Sequence, residues 1–267
     1  MDYSHYQALK IEIDDGIAVV TLNRPEQLNT FGGSMHGEVE NIFVDMAQDD
    51  AVNTIILTGA GKAFSAGGDI KAAAQRFGTD EGWKHITGVY YRAKRLVENI
   101  LNCPKPTIAA VNGDAMGLGT SVALCCDMQV VSETARFADT HVKVGLVAGD
   151  GGSVIWPLLI GPNRAKEMLM CAKIIYGKEA ATMGLVNHSV PADQVMAKSM
   201  ELAKVLRSMP PMAVKWTKVS INKMIKDQFN LVMDAAIAYE MCSMVTQDRG
   251  EAIHAFLEKR KPEYKGY

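Results

Sequence analysis

Two glycine-rich stretches are the parts of the sequence whose residue types and spacing could do chemistry. One is residues 63–70, AFSAGGDI, and the other is residues 111–127, VNGDAMGLGTSVALCCD. Each follows an apolar run of strand length and leads into a helical pattern. A helix N-terminus carries free backbone N–H groups and a partial positive charge, so it stabilises a ligand oxygen that gains negative charge. One amide from each stretch could therefore form an oxyanion hole. The alternative is that the glycines only permit close backbone packing.

The elements that must position these stretches have an α/β pattern. Apolar and β-branched runs at 8–13 and 17–22 flank a short polar turn, which predicts a β-hairpin. A strand–loop–helix order recurs at 54–74 and 107–126. Ligands bind beyond the C-terminal ends of strands in open α/β sheets, so this order places both glycine-rich loops at one edge. Helical spacing at 80–101 predicts a long amphipathic helix with Trp83 on its apolar side.

A third glycine-rich turn, Val144 to Gly152, precedes a mainly helical second half. From Ala192 onward the pattern is helical and is interrupted at Pro210-Pro211. We therefore expect a sheet-rich core over residues 1–195 and a C-terminal helical region over 196–267.

Composition excludes several classes of protein. With 48% hydrophobic and 22% charged residues and a net charge of −2, the chain matches an average globular protein, and nothing favours binding to nucleic acid or to a membrane surface. We see no secretion signal and no apolar run that could span a bilayer. The five cysteines contain no CxxC pair, which predicts small buried residues in a reducing cytoplasm. No cluster has metal-ligand spacing, so we predict no metal.

The two glycine-rich stretches, taken with LNRPEQLNTF (22–31), GLVNHSVP (184–191) and FLEKRKPEY (256–264), closely resemble the crotonase superfamily of enoyl-CoA hydratases and isomerases. The resemblance implies an α/β fold with a spiral core of repeated ββα units. It also implies that the helical C-terminal region packs between subunits of a homotrimer or a dimer of trimers. The implied substrate is an acyl-CoA thioester, with coenzyme A as part of the substrate and no separate cofactor.

The resemblance also assigns roles to individual residues. The amides of Gly68 and Leu118 take the places of the two oxyanion-hole donors. The family often has a lysine where this chain has Glu26. Two of the lysines that match coenzyme A contacts, Lys71 and Lys259, could instead be simple exposed surface residues. The family's contacts to coenzyme A map onto seven positions, which are Arg24, Leu28, Ala66, Asp69, Ile70, Lys71 and Lys259.

The chain departs from the family at the catalytic positions. Hydratases of the family use two glutamates, and those positions carry Ser121 and His141 here. Serine cannot serve as a base near neutral pH, so we do not expect the standard two-glutamate hydration. We expect His141, at the end of a strand, to move protons, because histidine titrates near neutrality. Asp150, in the third glycine-rich turn, could orient His141 or act as a second acid or base, and Ser121 either takes part or only opens space.

Three functions remain open from the sequence. The first is acyl-CoA chemistry through an enolate. The second is hydrolysis of a C–C bond in a β-diketone, because β-diketone hydrolases of the superfamily share the His141/Asp150 spacing and a glutamate at the position of Glu240. His36 and His85 are expected near the acyl pocket in either case. The third is a catalytically silent scaffold or RNA binder. Only one feature favours it, the basic stretch of Lys215, Lys218, Lys223 and Lys226, and a solvated helix face is the simpler interpretation of that stretch.

Overall fold

A computed structural model describes all 267 residues of the chain. Its centre is a six-stranded sheet in which the first two strands form the predicted antiparallel hairpin and the others run parallel to the second. In spatial order the strands are β1 (Leu9–Asp14), β2 (Ile17–Leu22), β3 (Thr54–Gly59), β5 (Thr107–Val111), β7 (Met128–Ser132) and β10 (His188–Val190).

A second, four-stranded sheet of short strands lies beside the first. It consists of β4 (Ala63–Ser65), β6 (Asp114–Met116), β8 (Arg136–Ala138) and β9 (Ile175–Tyr176). Each glycine-rich stretch joins a strand of this small sheet to a helix, either α2 (Ile70–Arg76) or α4 (Leu118–Cys125). The units β3-β4-α2 and β5-β6-α4 therefore repeat the ββα order, which confirms the predicted core.

Helices cover the sheets and make up the C-terminal region. None of the helices has the length and apolar character that a bilayer span needs. Besides α2 and α4 they are α1 (Met35–Gln48), α3 (Asp80–Asn102), α5 (Gly152–Ile160), α6 (Pro162–Met170), α7 (Gly177–Thr182), α8 (Val195–Ser208), α9 (Pro211–Ser243) and α10 (Gln247–Glu258).

The core is continuous from the first strand into the C-terminal helices. One cluster of 48 buried residues takes in both sheets, α1, α3 and part of α9. Leu96 and Ile100 on α3 are fully buried, and each contributes roughly 1.5–3 kcal/mol by leaving water. A smaller cluster of seven residues joins the other face of the large sheet to α8. The helical region is thus anchored to the sheet through its first helix.

Two expectations about burial are wrong. Trp83 is 57% exposed, because it lies in the first turn of α3, before the helix reaches the core. Cys171 and Cys242 are exposed as well, whereas Cys103, Cys125 and Cys126 are buried as expected. Cys171 follows the end of α6 and Cys242 faces outward near the end of α9, where no neighbouring element covers them.

Candidate active site

The two glycine-rich loops pack directly against each other. Gly67 has a φ of +82°, and a Cβ added there would lie 2.4 Å from the Met116 carbonyl oxygen. Gly119 is equally confined, because its Cβ would lie 2.8 Å from the Ser65 Cβ. Only glycine permits this approach and the left-handed backbone at position 67. The loops that were predicted to meet therefore do so through their glycines.

The amides of Gly68 and Leu118 border one cavity of about 500 Å³. Gly68 is exposed, and a Cβ there would have open space around it. Leu118 is the first residue of α4, so no carbonyl of its own helix is available to its amide. The contact between the loops brings Gly68 and Leu118 to the same cavity.

His141 does not end a strand, contrary to expectation. Strand β8 stops at Ala138, and His141 begins a short 3₁₀ turn, His141–Val144. The Asp139 side chain explains the turn, because its Oδ1 accepts hydrogen bonds from the His141 backbone N at 3.2 Å and from Nδ1 at 2.6 Å. The ring is held with its other nitrogen, Nε2, 3.0 Å from Asp150 Oδ2. The predicted contact between His141 and Asp150 is present, and Asp139 completes it.

Ser121 lies behind Asp150 and does not border the cavity. Its side chain is fully buried, and its Oγ donates a hydrogen bond of 3.2 Å to Asp150 Oδ1. Both Asp150 oxygens are therefore occupied, one by Ser121 and one by His141. In this position the serine orients Asp150.

Neighbouring charges determine the protonation states of His141 and Asp150. Burial alone would lower the pKa of His141, but the adjacent Asp139 and Asp150 carboxylates outweigh burial and hold that pKa well above its usual value. Burial likewise opposes ionisation of Asp150, but His141 and the Ser121 hydroxyl keep the pKa of Asp150 below its usual value. The pair is an imidazolium beside a carboxylate at neutral pH.

Glu240 brings a third carboxyl group to the same cavity from α9. Its Oε2 is buried without a hydrogen-bond partner, and it lies so close to Gly149 that a Cβ on that glycine would be 2.5 Å away. Burial, reinforced by the negative charge of Asp150, raises the pKa of Glu240 to about 8. Glu240 is therefore mainly protonated at neutral pH, while Asp150 is ionised.

The cluster of Asp139, His141 and Asp150 also has the spacing of a metal site, since its donor atoms lie within 4.8 Å of one another. Those atoms, however, bond to each other. Both ring nitrogens of His141 face carboxylate oxygens at 2.6 and 3.0 Å, so neither is free to coordinate an ion. The donor set fits an acid–base network better than a metal centre.

The residues assigned to coenzyme A fall into two groups. Ala66, Asp69 and Ile70 border the cavity, and Asp69 also caps α2 by accepting a hydrogen bond from the Ala72 amide at 3.0 Å. The other four lie outside the cavity. Arg24 donates to the Gly32 carbonyl at 2.5 Å, and the remaining three are exposed, which are Leu28, Lys71 and Lys259.

The basic stretch on α9 is not uniformly solvated, so the expectation of a solvated helix face is wrong for one residue. Lys218 is 8% exposed; its Nζ lies 2.7 Å from Asp127 Oδ2 and donates to the Lys105 carbonyl at 2.8 Å. Lys223 is exposed. The central lysine of the stretch thus binds the core and is not available to a nucleic acid.

Comparison with known proteins agrees with this geometry. The family model of enoyl-CoA hydratase/isomerase matches residues 12–267. The chain belongs to the enoyl-CoA hydratase/isomerase family. The chain is 36% identical to a short-chain-enoyl-CoA hydratase of Clostridium acetobutylicum, over 95% of either chain. A solved enoyl-CoA hydratase/isomerase from Mycobacterium paratuberculosis is 32% identical, with a TM-score of 0.88, over 94% of this chain and 99% of that one.

A β-diketone hydrolase is also among the structures with this fold. The enzyme from the cyanobacterium Anabaena sp. PCC 7120, solved with (S)-3-oxocyclohexyl acetic acid, has a TM-score of 0.82 and 26% identity. The alignment covers 91% of this chain and 96% of that one. The crotonase fold is therefore established, and the family contains more than one kind of chemistry.

Some residues of the site were missed from the sequence. Asp139 had a local signal, because an acidic residue two positions before a histidine can bond both its backbone and its ring. Arg76 and Arg92 also border the cavity, from α2 and α3, and no motif marked them. His36 and His85, which were expected near the acyl pocket, border the same cavity.

Proposed function

We propose that this chain acts on an acyl-CoA thioester through an enolate whose oxygen is bound by the amides of Gly68 and Leu118. The observation that carries the proposal is the contact of the two glycine-rich loops at a cavity that also contains His141, Asp150 and Glu240. Forming the enolate moves negative charge onto the thioester oxygen. Each fixed donor near that oxygen contributes about 3 kcal/mol by analogy with measured oxyanion holes.

The acid and base roles follow from the two carboxyl groups whose pKa values are driven apart. Asp150 is ionised and so accepts a proton, from the attacking water in a hydration or from the acyl group in an isomerisation, and Glu240 is protonated and so donates one to the enolate. His141 stabilises the Asp150 carboxylate and is held in place by Asp139. This arrangement replaces the glutamate pair, since its two positions carry Ser121 and His141.

In this proposal coenzyme A enters along the first glycine-rich loop. Ala66, Asp69 and Ile70 border the cavity there, and Arg24 and Lys71 lie on neighbouring segments where they can reach phosphate groups. Leu28 and Lys259 complete the proposed coenzyme A contacts. No other cofactor takes part.

The proposed assembly is a homotrimer or a dimer of trimers in the cytoplasm. Helix α9 supports it, because it exposes large apolar side chains that water does not favour. Six of them are more than half exposed, which are Met212, Trp216, Ile221, Met224, Leu231 and Tyr239.

The test is substitution of His141 by alanine, with crotonyl-CoA as the first substrate because short-chain enoyl-CoA hydratases are among the relatives. We expect turnover to fall at least about 100-fold, since His141 holds the Asp150 base in place and keeps it ionised, and a positioned general base contributes 10² or more. Binding of the unreactive butyryl-CoA and the circular dichroism spectrum should persist. His254→Ala, on the exposed face of α10, is the matched control. Unchanged turnover in His141→Ala would show that the reaction does not depend on the contact between His141 and Asp150, and the proposed base role of Asp150 would be wrong.

Hydrolysis of a β-diketone is the second candidate. It is favoured by the contact between His141 and Asp150, by Glu240 in the same cavity, and by the similarity to the Anabaena enzyme. In that reaction water adds to one carbonyl, and the C–C bond breaks to release an enolate. A β-diketone without coenzyme A and a series of acyl-CoA thioesters, assayed side by side, distinguish the two candidates. Activity on the diketone, with no measurable binding of any acyl-CoA, would replace the first proposal by the second.

A further inference from the structure

The wall of the cavity formed by α2 and α3 carries two guanidinium groups that have no acidic partner. Arg76 ends α2 and Arg92 lies in the middle of α3, and both border the cavity. Neither forms an ion pair with any carboxylate of the chain. Arg95, one turn further along α3, provides the contrast, because its Nε lies 2.7 Å from Glu40 Oε1.

The contacts of these two arginines leave donors unused. Arg92 Nη2 donates to the His85 carbonyl at 2.8 Å and lies 3.0 Å from His85 Nδ1. Arg76 Nε is buried and has no hydrogen-bond partner at all. A buried cationic donor without an acceptor is costly, so such groups are normally satisfied by an acid or by a ligand.

No carboxylate that borders the cavity is free to pair with Arg76 or Arg92. Asp150 is occupied by His141 and Ser121, and Asp69 caps α2. Burial keeps Glu240 mainly protonated by raising its pKa to about 8. Glu40, whose negative charge also acts on Arg92, is already paired with Arg95, so the wall keeps a positive charge that an anion from outside the chain would neutralise.

The position of Arg76 indicates where that anion would lie relative to the reacting carbonyl. Helix α2 has seven residues and hence a length of about 10 Å. The proposed oxyanion donor Gly68 lies just before its N-terminal end, and Arg76 is its last residue. Arg76 and His85 also border a second, smaller cavity of about 150 Å³. An anion at this wall would be separated from the thioester by a short carbon chain.

We propose that the acyl group of the substrate carries a second carboxylate, which Arg76 and Arg92 bind, so that the substrate is the coenzyme A monothioester of a short dicarboxylic acid. This inference rests on the proposed acyl-CoA function and adds the substrate class. The phosphates of coenzyme A are the other source of anionic oxygens that could reach these arginines. The two sources differ in a way that can be measured, since only the carboxylate changes with the acyl group.

The experiment is calorimetric titration of the full chain with glutaryl-CoA and with pentanoyl-CoA, which have acyl chains of the same length. We expect glutaryl-CoA to bind about tenfold more tightly or better, because hydrogen bonds between charged groups contribute that much. Arg76→Gln and Arg92→Gln should each remove most of this preference and leave pentanoyl-CoA binding within about twofold. Lys84→Gln is the matched control, since Lys84 is exposed on the same helix and borders neither cavity.

Each contrary outcome has its own meaning. If the unsubstituted protein binds the two ligands equally, or prefers pentanoyl-CoA, the dicarboxylate proposal is wrong whatever the variants do. If the arginine variants lose both ligands and free coenzyme A to the same extent, the arginines bind phosphate, and the proposal is again wrong. If no acyl-CoA binds at all, it is the underlying proposal of an acyl-CoA function that fails.

Discussion

Glu240→Gln tests the protonation state on which the proposed acid role depends. In the folded chain the pKa of Glu240 is about 8, against 4.5 for an ordinary glutamate, a difference of about 3.5. Between these two values the unfolded chain loses its proton and the folded chain keeps it. The unfolded state then binds fewer protons, so the free energy of unfolding falls as pH rises. The slope is about 1.4 kcal/mol per pH unit for one such group.

Glutamine has the shape of a protonated glutamate and does not titrate, so the variant escapes this loss. From about pH 5 to about pH 7.5 we expect Glu240→Gln to gain roughly 3 kcal/mol of stability relative to the unsubstituted chain. Other groups titrate in the same interval. Burial lowers the pKa of both His36 and His85 to about 4, which makes stability rise with pH up to about 6.5. They contribute equally to both proteins, so the difference between the two curves isolates Glu240.

Urea unfolding followed by circular dichroism at several pH values measures this difference directly. Glu133→Gln, the same substitution at an exposed position, is the control. A flat difference for Glu240→Gln would show that this carboxyl ionises like an ordinary glutamate. The argument that Glu240 donates a proton at neutral pH would then be wrong.

Three further substitutions test the rest of the site and its support. Asp139→Asn should lower the pKa of the His141 imidazolium by about 1–3, which would shift the pH–activity profile to lower pH. An unchanged profile would contradict the assignment of the raised His141 pKa to the neighbouring carboxylates. Gly67→Ala should lower the free energy of unfolding by more than about 1 kcal/mol and remove most of the activity, because the backbone at position 67 is left-handed and the added Cβ would collide with the opposite loop. Gly68→Ala should leave thermal unfolding nearly unchanged, because a Cβ there has open space around it. Equal effects of the two substitutions would refute the packing argument. Lys218→Met should lower the free energy of unfolding in urea by about 2–3 kcal/mol, whereas Lys223→Met, at an exposed position, should not. Similar unfolding curves for the two variants would mean that the ion pair between Lys218 and Asp127 contributes little.

The parts of the fold that the sequence predicted well are those encoded by local periodicity. The hairpin, the strand–loop–helix units and helix α3 were predicted from alternation, apolar runs or helical spacing, and the bounds of the hairpin and of α3 match the structure closely. The two glycine-rich loops were also recognisable, because the types of residue that such turns require are few. Trp83 shows the limit of this reasoning. Its spacing fits the apolar face of α3, but burial depends on what lies opposite, and at that end of the helix nothing covers it.

The contacts that tune the site could not be predicted, since they join residues distant in sequence. Arg76 and Arg92 reach the cavity only because α2 and α3 pack side by side. Lys218 reads as part of an exposed basic stretch until Asp127, from the turn after α4, is placed against it. Periodicity identifies the face of a helix, whereas the charge of a neighbouring element decides the chemistry of that face.

The charge balance of the site links the acid role to the proposed substrate. Asp139, His141 and Asp150 together hold two negative charges and one positive charge in a buried cluster, so a further carboxylate beside them would be strongly disfavoured. Burial, together with the negative charge of Asp150, keeps the proton on Glu240, which is the state a general acid needs. A substrate carboxylate could not lie near this cluster for the same reason. If the substrate is the proposed dicarboxylic monothioester, its free carboxylate would face Arg76 and Arg92 on the α2–α3 wall, and its thioester end would face the acid–base residues.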